Sequence, residues 1–332
     1  MATPFRLTRS LFLVASGLWA CLPGYANLMF NATYSDGSIA ALGIAPAAAI
    51  KATINNVLAV YSADFADNIT VTLDFGYMAG GLGQSQSAYQ NVSYQTYCNA
   101  LVADHTTAND ATALASIGPC GANNPVNGAS TINVNTANLR AIGLPGDPGA
   151  GKPDSTIGIN FAITTLGNGS STGPYDASAV LMHEIDEALG FGSALDGNPL
   201  ITTLPFGTIF PEDLWRYNGA GVRTLLHCTG QAFFSLDGST LLHQFHNVCD
   251  GADQADWQNG GIPAVQDAFG TAGAHPVLGV ELTALDVIGY DPAGVPEPGP
   301  VLLVLSGLGL GALARRRLRD ASGVTSRTHE PL

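Results

Sequence analysis

Basic side chains are scarce in this sequence. Lys and Arg number 12 in 332 residues, against 26 Asp and Glu, and the formal net charge is −14. Away from the two ends of the chain the basic residues are Lys51, Arg140, Lys152, Arg216 and Arg223. Nucleic-acid binding needs clustered Lys and Arg that neutralise phosphates. The central sequence has no such cluster, which argues against nucleic acid as a partner.

Two chemical motifs are also absent. No two cysteines have C-x-x-C spacing, which argues against a zinc site built on cysteine pairs. Ser235 and Asp237 do not belong to a G-x-S-x-G turn, which argues against a serine hydrolase. We also find no internal repeat, so the chain is not predicted to be a solenoid or an array.

The N-terminus has the segment order of a secretory signal peptide. Arg6 and Arg9 precede an apolar run over residues 11–22, and small residues follow as far as Ala26. A basic segment, an apolar segment and a small-residue cleavage site in this order direct export. We therefore expect residues 1–26 to be removed from an exported protein. Lipid attachment at Cys21 is the alternative.

Four cysteines follow the predicted signal peptide: Cys98, Cys120, Cys228 and Cys249. An even number of cysteines in an oxidising compartment predicts two disulfides. Three pairings are open to four cysteines. We favour Cys98–Cys120 and Cys228–Cys249, because each pair closes a local loop of about twenty residues.

The C-terminus combines a Pro-Glu-Pro motif, a short apolar run and an Arg cluster, at residues 296–298, 301–314 and 315–319. The pattern resembles the PEP-CTERM sorting tail of Gram-negative bacteria. This resemblance implies an exosortase-type partner and anchoring, transient or stable, in the inner membrane. Basic residues directly after the run predict a cytoplasmic C-terminus. An ordinary single-span anchor is the alternative and has the same orientation.

These signals divide the chain into a signal peptide, one folded domain and a sorting tail. We expect the domain over residues 27–290, a linker over 291–300, a short transmembrane segment with its Arg cluster over 301–319, and a disordered tail over 320–332. The mature protein is then expected in the cell envelope or outside the cell.

Hydrophobic periodicity predicts an α+β domain. Helices are expected near residues 47–65, 97–103, 177–189 and 282–288, and strands near 28–34, 68–76 and 156–164. Residues 77–150 otherwise have weak periodicity, and we expect a long decorated loop region there. The part after residue 194 is expected to consist mostly of loops. Gly190 is the expected C-cap of the third helix.

The third predicted helix carries His183, Glu184 and Glu187. His183 and Glu187 are four residues apart, so they project from one face of the helix. Imidazole and carboxylate groups are both zinc ligands. Glu184 follows the first ligand directly, as does the general base of H-E-x-x-H zinc peptidases. The pattern predicts a metal site with Glu184 as general base.

This helix and the segments after it resemble secreted, metzincin-like bacterial zinc metalloproteases. The shared segments are residues 183–190, 213–217, 221–223, 233–238, 253–257 and 282–290. The resemblance implies a zinc-dependent endopeptidase domain with a mixed sheet, an active-site helix and a loop-rich C-terminal part. It also implies that residues 156–164 form the edge strand beside a peptide or protein substrate.

The sequence departs from the family pattern at two metal-ligand positions. Glu187 stands where the second His is usual, and Ser193 stands where the longer metzincin motif has its third His. Asp213 is the first choice for the third ligand because it follows the helix in a shared segment; Asp196 and His227 are alternatives. Two carboxylate ligands reduce the Lewis acidity of zinc, and they admit a harder ion such as Mn²⁺ or Ca²⁺.

Two functions follow as expectations. The first is an envelope-anchored zinc endopeptidase that hydrolyses peptide bonds through a metal-activated water. The second is a catalytically inactive surface or matrix protein with a protease fold, associated with exopolysaccharide. The substitution at Glu187 favours the second, whereas the remaining motif favours the first.

Overall fold

The structure is a computed structural model that describes residues 27–166, 173–196 and 208–294. Its helices are α1 (Ser38–Ala41), α2 (Ile44–Asp64), α3 (Tyr94–Asp104), α4 (Ala108–Ile117), α5 (Thr136–Ala141), α6 (Ala177–Leu189) and α7 (Val280–Ile288). Its strands are β1 (Met29–Thr33), β2 (Thr70–Tyr77), β3 (Gly83–Ser87), β4 (Tyr89–Ser93), β5 (Thr131–Asn135), β6 (Ser155–Ile159), β7 (Thr164–Thr165), β8 (Tyr175–Asp176), β9 (Arg216–Tyr217), β10 (Ala232–Phe234) and β11 (His243–Phe245). The predicted α+β class is confirmed.

The main sheet has the strand order β1-β2-β6-β3. Strands β1, β2 and β6 are parallel, and β3 runs antiparallel to β6 at one edge. The prediction that residues 156–164 form the edge strand is therefore wrong, because β6 lies between β2 and β3. The sequence of β3 is Gly-Gln-Ser-Gln-Ser, which lacks the β-branched and aromatic residues enriched in strands.

Helices α2 and α6 lie side by side and cover the sheet, α2 against β1 and α6 against β6 and β3. The periodic face of α2 is buried and includes Ile50, Ile54, Val57 and Tyr61. Each large apolar side chain buried in this way stabilises the fold by about 1.5–3 kcal/mol. By length and composition α2 could cross a membrane. In this fold its buried face is part of the domain core.

The region between β2 and β6 contains more regular structure than expected. The predicted helix near residues 97–103 is confirmed as α3, but the loop prediction for the rest of 77–150 is wrong. Short polar elements occupy that region, and local side-chain bonds start two of its helices. Ser93 accepts a hydrogen bond from Thr96 N at the start of α3, and Thr107 forms a capping box with Asp110 at the start of α4.

Both favoured disulfides are confirmed. Cys98 in α3 is joined to Cys120, which follows α4, and Cys228 is joined to Cys249. The second pair lies in the C-terminal part, where a small sheet of order β11-β10-β9 is surrounded by loops. The predicted loop-rich character of this part is confirmed.

The two described ends of the domain meet at Phe65. Leu28 N donates to Phe65 O, and Phe65 forms an antiparallel bridge with Pro292. Ala66 N also donates to Asp291 O at 2.8 Å. The predicted signal peptide and all of the sorting tail from residue 295 onward lie outside the described residues.

Candidate metal centre

Helix α6 positions the predicted motif. The Asp176 side chain accepts a hydrogen bond from Ser178 N at the start of the helix, and Gly190 ends it with a φ of 130° that favours glycine. The predicted bounds and C-cap are therefore confirmed. Leu181, Ile185 and Leu189 recur every four residues and are fully buried. This apolar stripe fixes the rotation of the helix, and with it the direction of the motif side chains.

Three potential metal donors converge at this helix. The Nε2 atom of His183 lies 3.4 Å from Oε1 of Glu187 and 3.7 Å from Oδ1 of Asp256. All three donor atoms lie within 4.8 Å of one another. Ligands bound to one tetrahedral zinc ion at about 2.0–2.1 Å are separated by about 3.3 Å. The trio therefore has a spacing close to that of ligands that share one ion.

Hydrogen bonds orient each donor. Nδ1 of His183 lies 3.1 Å from the carbonyl oxygen of Val265 and donates to it, so Nε2 is the ring nitrogen directed at the two carboxylates. The hydroxyl of Ser85 donates to Oε2 of Glu187 at 2.6 Å, and Nε2 of Gln266 donates to Oδ1 of Asp256 at 3.0 Å. Such outer contacts fix the orientation of ligand side chains.

Glu184 lies beside the trio at the wall of a cavity of about 630 Å³. Its side chain is buried, and its Oε2 atom has no hydrogen-bond partner among the described residues. The neighbouring edge strand approaches closely at Gly83: a Cβ atom there would lie 2.8 Å from Cδ of Glu184. An unpartnered oxygen on a buried carboxyl group is costly for stability, and Glu184 is also one of the residues that line the cavity.

The trio concentrates negative charge in a dry environment. Burial raises the pKa of Asp256 to about 7, with nearby Glu187 adding to the rise and His183 opposing it. Burial likewise raises the pKa of Glu184 well above its usual range, and Glu187 contributes further. Burial lowers the pKa of His183, but the charges of Asp256 and Glu187 outweigh it and hold that pKa well above its usual value. A bound cation would relieve the repulsion between the carboxylates.

Asp213 lies in a different network. Its Oδ1 accepts from the Ser193 hydroxyl at 2.6 Å, and its Oδ2 accepts from Ala194 N and Phe210 N at 3.0 and 2.9 Å. These bonds hold the backbone after α6, and Asp213 is not in the donor group. The structure therefore brings together two of the three predicted ligands, with Asp256 in the third position.

The two alternative ligands also lie elsewhere. Oδ1 of Asp196 accepts from Gln254 N and Ala255 N at 2.7 and 2.8 Å, so it holds the segment that carries Asp256. His227 belongs to a separate group with Cys228 and Cys249, whose sulfur atoms form a disulfide.

Sequence reasoning missed Asp256 because no spacing rule links it to α6. The one available signal was its position before Trp257 in the shared segment 253–257. Comparison with protein-family models, with curated proteins and with solved structures finds no match to this chain. Function must therefore be inferred from the sequence and from the geometry of this site.

Proposed function

We propose that this chain is an exported metallopeptidase in which His183, Glu187 and Asp256 bind one divalent metal ion and Glu184 is the general base. The convergence of these three donors beside a buried carboxyl group is the observation that carries the proposal. A metzincin-like domain is supported by the helix motif and by an antiparallel edge strand, β3, packed on the same helix.

The donor set fits a divalent transition metal. It combines one imidazole nitrogen with two carboxylate oxygens, and zinc accepts both types. Ca²⁺ takes six to eight oxygen ligands and suits this set less well. Mn²⁺ remains compatible with a set rich in oxygen. We therefore propose Zn²⁺ as the ion, with Mn²⁺ as its competitor.

When bound, zinc would supply Lewis acidity and would lower the pKa of a water molecule toward neutral pH. With the cation bound, the Glu184 carboxyl group would be ionised; it would then accept the proton of the attacking water and return it to the nitrogen of the leaving amine. The Nδ1–H bond to Val265 orients the His183 ring, so Nε2 would be the nitrogen that binds the ion. Gly83, the first residue of β3, lines the cavity, and β3 is an edge strand of the main sheet. Its unpaired side would offer main-chain groups to an extended peptide.

Two anionic ligands lower the expected rate. Glu187 and Asp256 together carry enough charge to neutralise a divalent ion, which weakens its polarising effect on a carbonyl group. We expect slow hydrolysis or narrow specificity, compared with a site that has two neutral His ligands.

The test measures bound metal and peptide cleavage separately. We expect about one zinc ion per exported chain by elemental mass spectrometry, and loss of that ion in His183→Ala and Asp256→Ala. Glu184→Gln should keep the ion and lose cleavage of a mixed peptide library. Asp213→Asn is the control: it removes a buried carboxylate that lies outside the donor group, so the variant should still bind the ion. Cleavage by Glu184→Gln at the wild-type rate would overturn the mechanism.

A second candidate function is a surface or matrix protein with a protease fold and no turnover. The carboxylate of Glu187 in place of a second His supports it. Zinc binding without cleavage of any library peptide by the wild-type chain would favour this alternative. For either function we propose export and anchoring through the C-terminal sorting pattern at residues 296–319.

A further inference from the structure

The edge strand β3 contacts the motif helix through alternate residues. Gly83 approaches Glu184, and Ser85 bonds to Glu187. Residues two apart on a strand lie on the same face. One face of β3 is thus directed at both acidic residues of the motif, although its sequence has no metal-binding pattern.

The bond from Ser85 distinguishes the two oxygens of Glu187. Oε2 accepts from the Ser85 hydroxyl at 2.6 Å, while Oε1 lies 3.4 Å from Nε2 of His183. A carboxylate held in this way directs Oε1 toward His183 and Oε2 toward the strand. Without the hydroxyl, the three side-chain torsions of a glutamate leave both oxygens able to face the ion.

We propose that Ser85 is a positioning residue for the metal ligand Glu187, restricting it to one-oxygen coordination through Oε1. The proposal rests on the proposed metal site. It adds that β3, the strand proposed to bind substrate, also holds one of the proposed metal ligands in position. Ser85 acts through Glu187 and is not itself a ligand.

The experiment measures metal affinity in the exported full-length chain, with zinc and a competing chelator. Ser85→Ala should weaken zinc binding by about tenfold or more, as loss of an outer contact does at other metal sites. Ser87→Ala is the matched control. Ser87 lies on the same face of β3, and its hydroxyl bonds to Ser155 at 3.1 Å, away from the trio. Its zinc affinity should equal that of the wild type. Ser85→Thr retains a hydroxyl and should restore the affinity.

Cobalt supplies a readout that a merely structural role would not change. In the Co²⁺-loaded chain, Ser85→Ala should reduce the intensity of the visible absorption bands, because coordination by the second oxygen of Glu187 raises the coordination number. In a Glu187→Ala background, Ser85→Ala should cause no further loss of affinity.

Failure of the proposed metal site and failure of the role of Ser85 give different results in these measurements. If the wild-type chain unfolds cooperatively on heating, and is therefore folded, but binds neither zinc nor cobalt, the proposed metal site and the role of Ser85 are both wrong. If the wild type binds zinc and Ser85→Ala binds it equally well, the role of Ser85 alone is overturned. Equal losses in Ser85→Ala and Ser87→Ala would also overturn it, because the strand and not the hydroxyl would then be responsible.

Discussion

Replacing Gly83 with alanine should separate catalysis from metal binding. The added Cβ atom would lie 2.8 Å from Cδ of Glu184 and 2.9 Å from Cγ1 of Val180. Carbon atoms in good contact are about 3.5–4.0 Å apart, so relief requires a displacement of about 1 Å. The end of the glutamate side chain can move more easily than the helix, and we expect its carboxyl group to be displaced.

A general base displaced by about 1 Å can lose a factor of about 100 in rate. We therefore expect Gly83→Ala to lower kcat by about 100-fold, while zinc content stays at the wild-type level because none of the three ligands is displaced. Peptide cleavage and elemental analysis on the same preparation measure the two effects. The thermal midpoint should fall only modestly, since overpacking of this kind costs about 1–3 kcal/mol.

Gly80→Ala is the matched control. Gly80 lies in the β2–β3 connection, three residues before Gly83, and a Cβ atom there would meet nothing within 4 Å. Its rate should equal that of the wild type. A wild-type rate in Gly83→Ala, with zinc retained, would refute the claim that close approach of the strand fixes the position of Glu184.

Two further predictions concern stability. Burial raises the pKa of Asp67 to about 8, and the charge of Asp291 adds to the rise. The folded protein therefore favours the protonated side chain, and the free energy of unfolding should fall as the pH rises from about 4 toward 8, by up to about 1.4 kcal/mol per pH unit. By urea unfolding, the free energy of unfolding should fall less between pH 5 and pH 7 in Asp67→Asn than in the wild type. The exposed control Asp147→Asn should show the wild-type fall. A wild-type fall in Asp67→Asn would contradict the assignment of this pH dependence to Asp67. Replacing Cys98 and Cys120 together with alanine should lower the free energy of unfolding by about 3 kcal/mol, and a loss below about 1 kcal/mol in the same assay would show that the cross-link constrains the unfolded chain little.

The sequence predicts the two central helices well, for a physical reason. Both α2 and α6 bury one face against the sheet, and the period of their apolar residues records that burial. The terminal glycine of α6, Gly190, adds a local signal that does not depend on the rest of the fold. His183, Glu184 and Glu187 could therefore be assigned to one helix face without a structure.

The rest of the site depends on tertiary contacts. Strand β3 has a polar sequence, and it is a strand because its backbone pairs with β6. Asp256 reaches the helix through packing of its neighbour: Trp257 contacts Phe191, just beyond α6, with ring centroids 5.0 Å apart. Neither contact leaves a periodic trace in the sequence. For the same reason the sequence did not indicate which of several acidic residues would lie beside His183 and Glu187.

Both described ends of the domain pair at Phe65, and this would determine where the proposed C-terminal anchor pulls on the fold. Asn27 and Gly294 leave the domain next to each other, so a chain tethered beyond Gly294 is suspended from a single corner. Tension along that tether acts first on the short pairing of Asp64–Ala66 with residues 291–293, which includes the bond from Ala293 N to Asp64 O at 2.7 Å. These few hydrogen bonds would break one after another under tension, while the strands of the main sheet stay paired. Under the proposed anchoring, this short pairing would separate first and would lengthen the connection before force reached the main sheet.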